Sequence, residues 1–296
     1  MKTLPRTWAT AAAAVLAACT PLGAIDPFDA GGEVDAGAAF DAGSSPRDGG
    51  LGIDGGVDAG FSAAPDAGLF FFDDFEHGTV GQQPPGWDNF IGYIRNGQNP
   101  QGATLALVDT LHVHRGAQAV HVHGGGSPAM LGQLLPAGIN RLYVRTFVYL
   151  TRQLGMNPGA NHETLVALRK DPSGANDEVR FGEIKGVIGT NEVPTDNISP
   201  LQAQWGKGPV VPAQQWVCLE VAFLADQPQH VLRAWADGQL VHEVTLPSQW
   251  QNGPMPANWE QGKFQQVLIG WHSFSGVDTD LWFDDVALGA ERIGCD

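Results

Sequence analysis

The stretch RLYVRTFVYL, Arg141–Leu150, decides the fold. Leu142, Val144, Thr146, Val148 and Leu150 alternate with Tyr143, Arg145, Phe147 and Tyr149, the period-two pattern of a strand with one face in a core. Four further runs repeat it. WVCLEVAF (216–223) sets Val217, Leu219, Val221 and Phe223 on one side, and HVLRAWADGQLVHEVTL (230–246) reads as two strands around Asp237-Gly238, a strong two-residue hairpin signal. FQQVLIGW (264–271) and DLWFDDVALG (280–289) add two strands near the end of the chain. The 39 glycines and 20 prolines fall mostly between such runs, where sandwich loops need them. The one stretch that reads as a helix, a short one, lies within Pro128–Leu135. The expected class is all-β, an antiparallel β-sandwich of the jelly-roll kind.

The ends of this domain follow from composition. Residues 1–18 carry Lys2, Arg6 and a short apolar run, Ala9–Ala18, too brief to span a bilayer and of the form of a cleaved export signal. The ending LAAC, Leu16–Cys19, resembles the lipobox of bacterial lipoproteins, which implies lipidation of Cys19 and anchoring through acyl chains at ~0.8 kcal/mol per buried CH₂. The alternative is an ordinary secretory signal with an incidental cysteine. On the lipobox reading the protein is an exported bacterial lipoprotein of the outer membrane or cell surface, touching membrane only through its anchor. Residues 20–68 repeat Asp-Ala-Gly and Asp-Gly-Gly and carry eight Asp, one Glu and one Arg, so they offer little to bury and read as a disordered tether. Its reach is about 35–40 Å as a flexible coil. Residues 69–296 form one domain. With Cys19 assigned to lipid, Cys218 and Cys295 remain as a disulfide pair in an oxidising compartment, the alternative being two buried thiols.

The strands also resemble a known family. FFFDDFEHGTVGQQPPGW (70–87), LRAWADGQLV (232–241) and LWFDDVALG (281–289) are similar to the opening strand, the Asp-Gly hairpin and the closing strand of concanavalin-A-like jelly rolls. With NHETLVALR (161–169), VRFGEIKGV (179–187) and GWHSFSG (270–276), the chain resembles the polysaccharide-lyase-like family, which takes in cellulose-induced proteins and is akin to glucuronan lyases. The resemblance implies a polysaccharide as partner, and a structural Ca²⁺ clasped by acids of the first and last strands, Glu76 and Asp284, with Asp74 and Asp285 as neighbours. Those acids could equally be solvated strand ends. Carbonyls near His112–Gly116 would complete the shell.

Aromatics and planar hydrogen-bonding groups suit sugars. Tyr143, Arg180, Trp205, Trp271 and His272 are therefore the expected substrate contacts, converging with Arg145, Tyr149, His162 and Lys185 on one concave sheet. β-Elimination on a uronic-acid polymer needs a cation on the carboxylate, assigned to Arg145 or Lys185, and proton transfer, assigned to His162, Tyr143 or Tyr149. Binding without turnover is the less demanding reading, and a structural or adhesion module of the envelope the alternative. Residues 69–296 carry 13 Lys and Arg against 23 Asp and Glu. That balance excludes nucleic acid as a natural partner and does not globally favour an anionic polymer. Nothing points beyond a monomer. Residues 69–296 contain no nucleophile elbow, P-loop or dinucleotide fingerprint. Finally, HVHRGAQAVHVH (112–123) carries two His-x-His pairs, read as a hairpin turning at Gly116 with both histidine rows as surface decoration rather than a metal site.

Overall fold

The computed structural model describes residues 68–91, 106–157, 159–170, 178–193, 195–226, 231–253 and 264–296. The expected signal peptide, Cys19 and the tether as far as residue 67 lie outside the described residues. Within them no helix is long and apolar enough to cross a membrane.

Among the described residues, fifteen strands make two antiparallel sheets. They are β1 (Leu69–Asp73), β2 (Asp88–Ile91), β3 (Ala106–Asp109), β4 (Ala119–Gly124), β5 (Ala129–Leu134), β6 (Arg141–Leu150), β7 (His162–Arg169) and β8 (Glu178–Ile184). The rest are β9 (Val187–Val193), β10 (Asn197–Ser199), β11 (Trp216–Leu224), β12 (Val231–Ala236), β13 (Gln239–Val244), β14 (Gln266–Ser273) and β15 (Thr279–Gly289). Sheet A runs β13-β12-β11-β6-β15-β4-β3, with β1 also on β15; sheet B runs β10-β9-β8-β7-β14-β5-β2. The core lies between them, as the alternation requires: Leu142, Val144, Val148, Leu150, Leu219 and Phe283 from sheet A meet Leu131, Val166, Phe181, Ile269 and Trp271 from sheet B. Each such side chain contributes ~1.5–3 kcal/mol by leaving water.

The Asp237-Gly238 hairpin forms as read. Both residues have positive φ (47° and 76°), and Ala236 pairs with Gln239 across a two-residue turn. The expected disulfide is present between Cys218 and Cys295, with Cα atoms 5.8 Å apart. It ties the segment after β15 to β11.

Two local readings are corrected. Pro128–Leu135 is not helical: Ala129–Leu134 is β5, paired with β2 and β14. Ala129 and Leu131 enter the main core, while Met130, on the other face, packs with Ala167 and Leu268. A strand apolar on both faces shows no alternation, so its period resembles a short buried helix. The histidine stretch is not a tight hairpin either. β3 ends at Asp109 and β4 begins at Ala119, so His112 and His114 ride on a connection that folds across sheet A. Gly116 (φ 75°) serves a different purpose from a hairpin turn. A Cβ there would stand 2.2 Å from Glu76 Oε1, so glycine is what admits the Glu76 carboxylate.

Candidate functional site

Successive side chains of a strand leave opposite faces, so the core residues fix which side chains look outward. On sheet B, Val179 and Phe181 enter the core and Arg180 faces out; Ile269 and Trp271 enter it and His272 faces out. In β7, an extra residue at Leu165 shifts the register against β8, and His162 and Thr164 emerge on the same outer face.

There the chain gathers a polar, partly aromatic cluster. Arg180 lies with its Cζ 4.9 Å from the centre of the Phe274 ring, and the same ring lies 4.0 Å from His272 and 6.2 Å from His162. Phe274 is 43% exposed, whereas Arg180, His162 and His272 are each less than 9% exposed. Arg180 Nε donates to Glu178 Oε2 at 2.7 Å, and Arg169 Nε stands 3.3 Å from the other oxygen of the same carboxylate. His162 Nδ1 is 3.4 Å from Asp196 Oδ1, which also accepts from Asn191 Nδ2. Lys185, at the turn between β8 and β9, donates to Asn161 Oδ1 and lies 5.7 Å above the Trp205 ring.

The electrostatics keep both imidazoles neutral near pH 7. Burial pulls His272 down to about 4, with the Arg180 charge adding to it. Burial also lowers His162; Asp196 opposes the shift and Lys185 and Arg180 reinforce it. A neutral imidazole beside a fixed guanidinium can accept a proton while the guanidinium holds an anion. Among the charged residues named here, Arg169, Arg180 and Lys185 outnumber Glu178 and Asp196, a local positive balance within an acidic domain.

The structure therefore brings together five expected residues: His162, Arg180, Lys185, Trp205 and His272. It separates the others. Tyr143, Arg145 and Tyr149 belong to sheet A and face away from the sandwich, so they cannot converge with the sheet B set. Their face is covered by the chain itself. His112 stacks on Tyr149 (4.0 Å) and His114 on Phe147 (3.6 Å), while Tyr143 packs with Trp235 and Ile293. Arg145 pairs in register with Glu220, and Glu220 receives Arg292 and the backbone N–H groups of Ile293 and Gly294. Trp271 is fully buried and donates its Nε1–H to the Val277 carbonyl, so it is a core residue and not a sugar contact. Phe274 was missed, although it lies two positions beyond His272 in GWHSFSG. Asp196, in a loop, left no sequence signal.

The expected calcium acids meet at one segment. Glu76 Oε1 accepts from the N–H groups of Ala117 and Gln118 (2.7 and 2.9 Å), and Asp284 Oδ2 accepts from those of His114 and Arg115 (2.9 and 3.2 Å). Asp284 sits at an irregularity of β15, where its neighbour changes from β4 to β1. Burial, with Asp285 beside it, pushes the Asp284 carboxyl up to about 7, so a nearby hard cation would be favourable. Asp73, Asp74 and His77 also bring ligand atoms within 4.8 Å of one another. Asp73 is already engaged, by Trp87 Nε1 and the Phe75 N–H.

No curated protein sequence matches the chain. Among solved structures, "Cellulose induced protein, Cip1" matches at 23% identity with a TM-score of 0.54, over 76% of this chain and 100% of that one, a likeness of fold. Weaker matches, each with a TM-score of 0.40, include the binding domain of botulinum neurotoxin DC in complex with rat synaptotagmin II (7% identity, 70% of this chain, 44% of that one) and a sialidase (8%, 70% and 17%). The Cip1-like core domain of the polysaccharide lyase-like family matches residues 83–291, and the chain belongs to that family.

Proposed function

We propose that the outer face of sheet B binds a polysaccharide at Arg180, Phe274, His272 and His162, and that the chemistry these groups supply is β-elimination on a uronic-acid polymer. The arrangement of the exposed Phe274 ring over a guanidinium, beside two neutral imidazoles, carries the reading. An aromatic ring accepts the apolar C–H face of a sugar, and Arg180 offers a planar donor set to its carboxylate. In the elimination, neutral His162 takes the proton alpha to the carboxylate. The electron pair of that C–H bond forms the new double bond, the glycosidic C–O bond breaks, and the leaving oxygen is protonated from the imidazolium or from water. Incubating the purified domain with a panel of uronans and following absorbance of the unsaturated product tests this directly. Saturable glycan binding without that product reduces the reading to a binding module.

The protein presenting this face is proposed to be a lipoprotein held through Cys19. Cys19→Ser should move the chain out of the membrane fraction with the domain still folded. Recovery in the same fraction as wild type would defeat the anchor.

Ca²⁺ is proposed as a structural ion held by Glu76 and Asp284, where it would pin the 114–118 segment to both ends of the sandwich. A ligand at about 100 times its Kd stabilises by ~2.7 kcal/mol, which for a domain of this size is about 5–10 °C in Tm. Chelator should lower Tm by that order in wild type and leave Glu76→Gln unmoved. A wild-type melting curve indifferent to chelator would leave both carboxylates as anchors of the loop N–H groups alone.

A further inference from the structure

His121 and His123 are two residues apart on β4, so both leave the outer face of sheet A. Asp280 of β15 is the cross-strand partner of His123. Both rings reach one oxygen: His121 Nε2 and His123 Nδ1 each lie 2.9 Å from Asp280 Oδ1. Behind His121, its Nδ1 stands 3.7 Å from Asp109 Oδ2, an oxygen that also accepts from Trp282 Nε1 at 3.0 Å. The Trp282 ring stacks on His121 at 4.4 Å with an interplanar angle of 13°. His121 is therefore oriented by a ring stack and a carboxylate, on a strand hydrogen-bonded on both sides. The side chains of His121, His123 and Asp280 are 31%, 43% and 43% exposed, so a dissolved ion can reach them.

We propose that His121, His123 and Asp280 form a surface site for a divalent transition-metal cation of the zinc type. Two imidazole nitrogens and one carboxylate oxygen are borderline donors, which select zinc or copper over the hard ions calcium and magnesium. Three protein ligands with a fourth position left to solvent match an open tetrahedral centre. The point now held by Asp280 Oδ1 is 2.9 Å from both nitrogens, so an ion there needs each ring to approach by about 0.8 Å to reach zinc–nitrogen distances. Asp280 Oδ1 would then shift aside to ligate from the neighbouring strand. Asp109 stands where metal-bound histidines commonly keep a carboxylate behind the ring.

The purified chain, stripped with chelator and kept in excess Ca²⁺ to fill oxygen-rich sites, is titrated with Zn²⁺ by calorimetry. One Zn²⁺ per chain is expected, with affinity at least tenfold lower in His123→Ala and in Asp280→Asn and unchanged in His112→Ala. Co²⁺ bound to wild type should show the intense visible absorption of a four-coordinate nitrogen–oxygen site, a readout that depends on no variant. Equal Zn²⁺ affinity in His123→Ala and Asp280→Asn would overturn the site, as would a weak octahedral Co²⁺ spectrum. Loss of binding in His77→Ala instead would assign the ion to the Asp73, Asp74 and His77 group and equally overturn it.

Discussion

Replacing Cys218 and Cys295 together by serine is expected to lower the unfolding free energy by about 4.5 kcal/mol, the loop-closure value for a bridge spanning 77 residues. That is a large fraction of the 5–15 kcal/mol typical of whole domains. The bond holds more than two cysteines. The segment after β15 crosses the outer face of sheet A, where Arg292 lies 4.4 Å above the Trp235 ring and Ile293 packs against the cluster of Tyr143, Ala222, Leu224 and Trp235. Glu220, 1% exposed, takes its hydrogen bonds from that segment: Ile293 N–H at 2.7 Å, Gly294 N–H at 3.3 Å and Arg292 Nε at 3.4 Å. If the tail frays, a buried carboxylate loses these donors, and the loss adds to the chain-entropy effect. Guanidinium unfolding of wild type, of the double variant and of reduced wild type measures the difference. A change under about 1 kcal/mol would mean that the Glu220 contacts hold the tail without the bond.

The sandwich was legible because its strands alternate cleanly, and its family because those strands carry recognisable segments. What alternation cannot reveal is which sheet a face belongs to, or what covers it. The Tyr143, Arg145, Phe147 and Tyr149 row mixes rings with a cation and reads as a sugar groove. It is closed by residues far away in sequence, through contacts such as His114 N–H to Asp284 across 170 positions. Spacing carries no trace of such contacts. Trp271 could have been assigned from the sequence. Adjacent residues on a strand face opposite ways, so Trp271 and His272 could not both face a ligand. His272 took the outer face because the larger apolar ring belongs in the core, and the same parity would have drawn attention to Phe274. Residue type alone singles out His162, Arg180 and Lys185, and topology places them together through β7, β8 and the turn that joins β8 to β9. Asp196 lies outside any periodic pattern.

Arg180→Ala is expected to weaken glycan binding by about 1.5–3 kcal/mol, the worth of hydrogen bonds to a charged group, or roughly ten- to a hundredfold and more in Kd. His162→Ala is expected to reduce turnover about 10²- to 10⁴-fold with little change in KM, because a proton-transfer group acts mainly in the transition state. The pH profile makes the second expectation specific. The base works as neutral imidazole, and burial holds its pKa below 6.5, with Lys185 and Arg180 assisting against Asp196. Turnover should therefore be flat at pH 7 and fall only as pH drops through that lowered value. Asp196→Asn removes the one charge that raises the pKa, so the acid limb should move to still lower pH; a limb moving upward would remove His162 from the role of base. Arg180 also donates to Glu178 inside the sheet, so its loss carries a stability cost that must be separated from binding. Arg180→Lys restores the charge without the planar fork, and should recover melting temperature better than affinity. If Arg180→Ala destabilises the fold and no glycan distinguishes it from wild type, the Arg180, Glu178 and Arg169 cluster is a buried ion network, and the envelope-module alternative takes precedence over both binding and cleavage.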